Sequence, residues 1–266
     1  MINGLSTKIV TTRDEAVNVW FEELSLPAVP SCNMMCNFCS RDCDCILSGN
    51  NPENMSKVMT PRQVINWAVA TANRNKRVRV IKISGPGEPL CNPQTYEVLK
   101  RLNEELPEHI LSVSTNGLLL DEKANELAGL NVKIVNVALN AVSPYTVLKL
   151  YSRIIKGNEI VVNSLKMAEI LLQSTLRGIR KCRQNGIKVK INTIYFPGIN
   201  DSDLKLIALK SKELGANSLC IISSRLRGKF MNLKTPSSTE MLLIRKELSK
   251  IFRNIEVKSF IPSVSG

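Results

Sequence analysis

Imidazole is almost missing from this sequence: 266 residues include one histidine, His109. A zinc finger or ribbon completed by a His pair is therefore excluded. Aromatic residues make up only 5% of the chain, which is sparse for a protein that stacks nucleic-acid bases. No apolar run approaches the roughly 18 residues needed to span a bilayer, so no membrane association is expected. The first residues carry no secretory apolar stretch, so the protein is expected in the cytoplasm. Cysteines there are thiols or metal ligands rather than disulfides. The net charge is +13 and the pI is near 9.5. Basic residues gather at Arg74–Arg77, Arg177–Arg183 and Arg225–Lys229, but nowhere in a dense run. They read as a solvated basic surface, with an acidic protein or RNA left open as a partner.

Cysteine, by contrast, is present and concentrated. Five of the eight cysteines fall between Pro30 and Cys45, and the core of that stretch is Cys32-x3-Cys36-x2-Cys39. Three thiolates on one short loop can each take a corner iron of a cubane, whereas a closed structural site needs four ligands. The fourth iron is then open to a substrate, which points to a reactive cluster. Structural zinc is the plainer reading of cytosolic cysteines. It needs a second pair of ligands at a distance, and the sequence offers no such knuckle.

Strand and helix patterns alternate along the chain. Asp14–Leu24 is expected to be a short helix, and Leu26–Pro30 an extended segment leading into the cysteine loop. Thr60-Pro61 signals a helix start. Strands are then expected over 78–84, 110–115, 132–140, 187–196 and 218–223, and helices over 93–106, 121–130, 201–214 and 237–252. A helical region from Pro144 is expected to break near Gly157-Asn158 and resume over 164–184. Residues 1–24 form a lead segment, 25–252 one α/β domain and 253–266 a tail. Such alternation implies a parallel sheet with right-handed crossovers, and periodicity alone leaves an open sheet and a partial barrel undecided. Either way, ligands gather at the C-terminal strand ends. There stand Ser84-Gly85-Pro86-Gly87-Glu88-Pro89, Thr115-Asn116-Gly117, Asn140 and Asn192. Turn chemistry alone explains some of these residues. Thr115, Asn140 and Asn192 are taken as ligand contacts.

The cysteine triplet with Phe38 before its last member resembles the radical S-adenosylmethionine (SAM) superfamily. The resemblance implies a single-domain partial (β/α)6 TIM-like barrel with a [4Fe–4S] cluster on Cys32, Cys36 and Cys39. It implies that the open iron chelates SAM and that reductive cleavage yields a 5′-deoxyadenosyl radical. Gly85, Gly87 and Glu88 match the Gly-Gly-Glu motif that holds the methionyl amino group. Phe38, Thr115, Asn140 and Asn192 complete the expected cofactor contacts, and an electron donor such as ferredoxin or flavodoxin is implied.

Longer stretches are similar to the NifB-type maturases of nitrogenase cofactor: Ala28 through Cys45, Gly85 through Leu90, Thr115–Gly117, Ala168–Leu172, Gly178-Ile179 and Val189 through Asp201. Iron–sulfur or metallocofactor biosynthesis is the implied role. The chain departs from that family at substrate-cluster ligands. It has no His or Cys before Cys32, has Ser114 where the family has Cys, and has no cysteine after Cys220. Cys45 alone matches such a ligand. Cys43, Cys45 and Cys91 are candidates for a second iron–sulfur cluster. A diverged radical SAM enzyme acting on a protein, tRNA or metabolite and a zinc-holding binding module are the alternatives.

Overall fold

The computed structural model of the chain describes residues 9–14, 19–39, 59–223 and 228–258. In chain order the elements are β1 (Ile9–Asp14), β2 (Val19–Val29), β3 (Met34–Cys36), α1 (Pro61–Arg74), β4 (Val78–Pro86), α2 (Pro93–Glu105), β5 (Ile110–Thr115), α3 (Leu120–Gly129) and β6 (Val132–Ala138). They continue with α4 (Pro144–Leu150), β7 (Tyr151–Lys156), β8 (Glu159–Val162), α5 (Leu165–Gln184), β9 (Lys188–Ile194), α6 (Asp201–Glu213), β10 (Ser218–Ile222), α7 (Ser238–Leu248) and β11 (Ile255–Lys258). Eight strands form one sheet in the order β1-β2-β4-β5-β6-β9-β10-β11. Within it β1 is antiparallel to β2, and every other neighbouring pair is parallel.

Period-two alternation builds the two faces of this sheet. Leu24 and Leu26 of β2, Ile81 and Ile83 of β4, Val135 and Val137 of β6, Val189 and Ile191 of β9, and Leu219 and Ile221 of β10 are all buried in one core with the helices. Polar partners mark the other face: Lys82 pairs with Glu23, and Asn136 Nδ2 donates to Ser112 Oγ at 2.9 Å. The sheet is curled without closing. Its edges β1 and β11 do not pair with each other, yet Glu23 on β2 still acts electrostatically on Lys258 of β11. This is the partial, TIM-like architecture expected from the sequence.

Three expectations are corrected. The described part of residues 14–24 is strand and not helix: Asp14 ends β1 and 19–24 lie in β2, because pairing with β1 and β4 satisfies this backbone in extended form. The segment after α4 is a β-hairpin, β7 and β8, turning at Gly157-Asn158. Gly157 has φ +59°, the left-handed value that a two-residue hairpin turn uses. β7 pairs in turn with β3, making a second, three-stranded antiparallel sheet. Finally, Ile255–Lys258, expected as tail, extends the main sheet beside β10.

α1 starts where Thr60-Pro61 predicts. Thr60 Oγ1 accepts from the Gln63 N–H at 3.3 Å, and Gln63 Oε1 accepts from the Thr60 N–H at 2.9 Å, a reciprocal capping box. A second apolar cluster, with Met34, Leu150, Ile154, Met167 and Phe196, packs beneath the hairpin. Because the parallel strands share one direction, the loops after β2, β4, β5, β6 and β9 emerge together, and the hairpin covers one side of their mouth.

Candidate cofactor site at the strand ends

The cysteine triplet leaves β2 and is fixed on two sides. On one side β3 pairs with β7, the Ile155 N–H donates to the Asn33 carbonyl at 2.8 Å, and the Asn37 N–H donates to the Leu150 carbonyl at 2.8 Å. Asn37 Nδ2 adds a 2.8 Å bond to the Lys149 carbonyl. On the other side the Ser31 carbonyl accepts from the Glu88 N–H at 2.8 Å and from Asn92 Nδ2 at 2.8 Å. The Gly87 N–H donates to the Val29 carbonyl at 2.7 Å. A Cβ on Gly87 would stand 2.0 Å from the Ser31 oxygen, so glycine is required there by the chain's own close approach. The sequence reading gave that glycine to a ligand; in the structure it brings the cysteine loop and the Glu88 turn together. Gly85 lies just before it, at the end of β4, joined to Pro86 by a cis peptide bond.

Cys32, Cys36 and Cys39 are half-buried thiols. Among the described residues no three His, Cys, Asp or Glu side chains are already gathered at one metal-binding point. The loop supplies soft donors at the mouth, and a metal group would draw them together. That donor set fits a thiolate-held cluster with three protein ligands. It does not complete a four-ligand zinc site. His109 precedes β5 and so lies at the opposite end of the strands, and Cys182 and Cys220 are buried in α5 and β10.

Glu88 is 3% exposed. Its Oε1 accepts from Thr115 Oγ1 at 2.6 Å and from the Leu90 N–H at 3.1 Å, while Oε2 accepts from the Asn116 N–H at 2.6 Å. Asn116 Nδ2 then donates to Asn33 Oδ1 at 2.8 Å, beside Cys32. The structure thus joins Glu88, Thr115 and the cysteine loop through one buried hydrogen-bond network. Phe38 joins an aromatic cluster, with ring centroids 4.8 Å from Phe196, 5.8 Å from Tyr151 and 6.2 Å from Phe230.

The other expected contacts lie around this network. Asn140 is committed to internal bonds: Nδ2 donates to Tyr151 Oη at 3.0 Å, Oδ1 accepts from the Ile194 N–H at 2.8 Å, and its carbonyl accepts from Asn200 Nδ2 at 2.9 Å. Asn192 is half-buried on β9, opposite Ala138 and Cys220 on the neighbouring strands. The Cys91 thiol donates to the Ser31 and Glu88 carbonyls at 3.6 and 3.3 Å. Burial first, then the nearby Glu88 and Cys32, push its pKa far above the ordinary thiol range. Cys43 and Cys45 lie outside the described residues.

Sequence reasoning missed Asn33, Asn92 and the fully buried Asp203. Asp203 accepts from the Val142 and Ser143 N–H groups and from Thr146 Oγ1 at 2.6, 2.7 and 2.6 Å. Asn92-Pro93, an N-cap signal, was the one local hint among them. A groove of about 820 Å³ between α1 and α2 lies on the outer helical layer and has no part in this mouth.

Comparison with known proteins accounts for this arrangement. The pattern of the radical SAM superfamily matches residues 26–209, and the chain belongs to that superfamily and is an enzyme of the radical SAM class. Within the superfamily it is NifB-like. It is 31% identical to the FeMo cofactor biosynthesis protein NifB of Methanocaldococcus jannaschii over 92% of this chain and 81% of that protein. It is 31% identical to NifB of Chlorobaculum tepidum over 87% of this chain and 55% of that protein. NifB of Azotobacter vinelandii is 32% identical over 85% of this chain and 46% of its own length. The chain thus spans about half of two of these relatives. A radical SAM methyltransferase from Sphaerobacter thermophilus shares the fold, with TM-score 0.64 at 18% identity over 97% of this chain and 70% of that one. So does the radical SAM enzyme HemN of Escherichia coli, with TM-score 0.52 at 16% identity over 86% and 51%. No helix among the described residues is long and apolar enough to cross a membrane.

Proposed function

We propose that this enzyme reductively cleaves SAM at a [4Fe–4S] cluster held by Cys32, Cys36 and Cys39, in the service of metallocofactor assembly. The observation that carries the reading is the join at Ser31. One backbone carbonyl ties the cysteine loop to the turn bearing a buried carboxylate. A cation at that mouth would meet both the thiolates and Glu88.

Held by Cys32, Cys36 and Cys39, the cluster would supply one electron to the sulfonium of SAM, whose C–S bond would then break. The chain's own part is to hold and orient. Glu88, a buried carboxylate at this mouth, would accept from the methionyl ammonium. Thr115 and the Asn116 N–H fix the carboxylate's orientation. Phe38 and its aromatic neighbours wall the cysteine loop on the protein side and exclude water. Lys149 and Lys229 are exposed beside the Asn37 turn, a basic rim suited to an acidic electron carrier such as ferredoxin or flavodoxin.

NifB-like identity over most of the chain favours a role in cofactor biosynthesis. Ser114, placed where the maturases carry a cysteine, favours the second reading, a diverged enzyme with another substrate. Both predict a [4Fe–4S] centre on the triplet. Anaerobically purified protein should carry about four irons with matching sulfide per chain. The variant with Ala at 32, 36 and 39 should lose the cluster absorption and SAM cleavage together. One zinc per chain without sulfide, or full cluster absorption in the triple variant, would refute the proposal. About twelve irons would instead restore the full set of substrate clusters.

A further inference from the structure

Glycines from two distant parts of the chain lie against the cysteine loop, Gly87 at its start and Gly228 at its end. A Cβ on Gly228 would stand 2.6 Å from the Asn37 oxygen and 2.9 Å from the Cys39 oxygen. Both are backbone atoms, so only a shift of the loop or of the glycine's own turn could relieve the collision. Gly228 also has φ +58°, a left-handed value that a side chain makes costly. The next residue completes the contact, because the Lys229 N–H donates to the Asn37 carbonyl at 2.7 Å. Phe230 follows, 7% exposed, with its ring centroid 6.2 Å from Phe38 and 5.1 Å from Phe196.

Asn37 is also gripped by the last carbonyls of α4. Its N–H donates to the Leu150 carbonyl and its Nδ2 to the Lys149 carbonyl, each at 2.8 Å. The grip falls on the tight turn that carries two of the three thiols, closed by the Cys39 N–H donating to the Cys36 carbonyl at 3.1 Å. Gly228, Lys229 and Met231 are exposed, and Phe230 packs in the smaller apolar cluster with Phe38, outside the main core. What this turn buries is therefore directed at the cysteine loop and the aromatic rings beside it.

We propose that Gly228 and Asn37 are positioning residues. The turn Gly228–Phe230 and the end of α4 form a clamp that fixes Cys36 and Cys39 before a metal group arrives, so that holding the group requires little further ordering of the loop. Gly228 lets the clamp come close enough to meet two loop carbonyls, and Asn37 carries its hold to the turn between the thiols. The role rests on the triplet being the ligand set, whereas the clamp itself can be read in the metal-free chain.

The test uses the full chain purified anaerobically with its own metal content, and the same chain after the metal is removed. Gly157→Ala is the reference, since Gly157 has φ +59° and nothing within 4 Å of an added Cβ; it carries the backbone cost without the collision. Gly228→Ala should speed amide hydrogen exchange of the metal-free chain over 36–39 at least about fivefold relative to that reference, the low end of what one misplaced methyl costs in a packed site. Exchange over 132–138, in β6, should not change. Loss of metal to a chelator should quicken with it and the EPR spectrum of the reduced cluster should change, while the urea midpoint stays close to the reference. Asn37→Ala releases the α4 side without crowding and should act in the same direction by about two- to tenfold, the worth of one hydrogen bond; it decides the matter if Gly228→Ala does not fold. Unchanged exchange over 36–39 in both variants, or faster exchange with wild-type metal loss and EPR spectrum, would overturn the proposal. So would a Gly157→Ala protein that behaves like Gly228→Ala. A wild-type chain that holds zinc would refute the cofactor reading instead, and exchange and metal loss would still decide the clamp.

Discussion

Glu88 and Asp203 are both buried carboxylates beyond the C-terminal ends of the strands, and each accepts from backbone N–H groups and from a threonine hydroxyl. Their surroundings differ in kind. All three donors to Asp203 come from residues 142–146, the first turn of α4 and the residues before it, so this carboxylate caps one helix and fixes one loop. The donors to Glu88 come from its own turn and from the end of β5, and its own N–H goes to the cysteine loop through Ser31. Burial and hydrogen bonding therefore say nothing by themselves about function. What separates the pair is that one closes a local segment, while the other ties three segments around a set of thiols.

The largest effect should fall on the capping side. Asp203→Ala would leave two buried backbone donors and a hydroxyl without an acceptor at a fully buried site. We expect about 3–5 kcal/mol lost from folding stability, since each unsatisfied group costs about 1–3 kcal/mol and the loop recovers part of it. Urea unfolding would measure it. SAM affinity of the molecules that remain folded should be unchanged. A weakened SAM affinity with stability intact would erase the distinction between the two carboxylates.

How far the sequence could draw this contrast depended on the range of the interactions involved. The cysteine triplet, the Gly85–Glu88 turn and Thr115 were legible because each is a local motif at a strand end, and the alternation of strands and helices located those ends. The hairpin was not. Tyr151–Lys156 carries no short-range pattern that separates strand from helix, and its partner in β3 lies over a hundred residues upstream, Met34 against Ile154. Gly157-Asn158 was read as a helix break, although it equally suits a hairpin turn. Val19–Leu24 was mistaken for helix for the same reason, since its neighbours β1 and β4 fix its form. Asn140 is read as a ligand contact because short polar residues cluster at the mouth. Its hydrogen bonds run to Tyr151, Ile194 and Asn200, and only the folded chain shows them.

The functional side of the comparison should show the reverse signature. Glu88→Gln keeps a carbonyl for Thr115 or Asn116 but removes the charge that would face an ammonium. We expect SAM affinity to fall by about 1.5–3 kcal/mol, the range for hydrogen bonds to charged groups, with a smaller change in the urea midpoint. Calorimetric titration of the cluster-loaded variant with wild-type affinity would remove Glu88 from the cofactor site. Gly87→Ala tests the join itself. The added methyl meets the Ser31 carbonyl, and relief requires the cysteine loop to shift at a cost of about 1–3 kcal/mol. Here stability and cluster retention should decline together, as they should not for Asp203→Ala.

The smallest effect comes from a residue on neither side, and it is needed to read the carboxylates cleanly by acid titration. His109 lies before β5, where loss of hydration first, and then the neighbouring Arg79 and Lys76, lower its pKa below the ordinary imidazole value. The folded chain therefore binds this proton less readily than the unfolded chain, whose imidazole titrates near about 6.5. Its contribution to stability is full above that value, falls as the pH drops through it toward the folded pKa, and levels off below. As the one histidine, His109 gives a single Cε1–H resonance, so proton NMR should find its midpoint below about 6.5. His109→Gln should flatten the pH dependence of stability between about pH 5 and 7 and leave the acid limb, where Asp and Glu titrate, in place. A midpoint above the unfolded value would reverse the sign, and the histidine would then stabilise the fold in acid instead of weakening it.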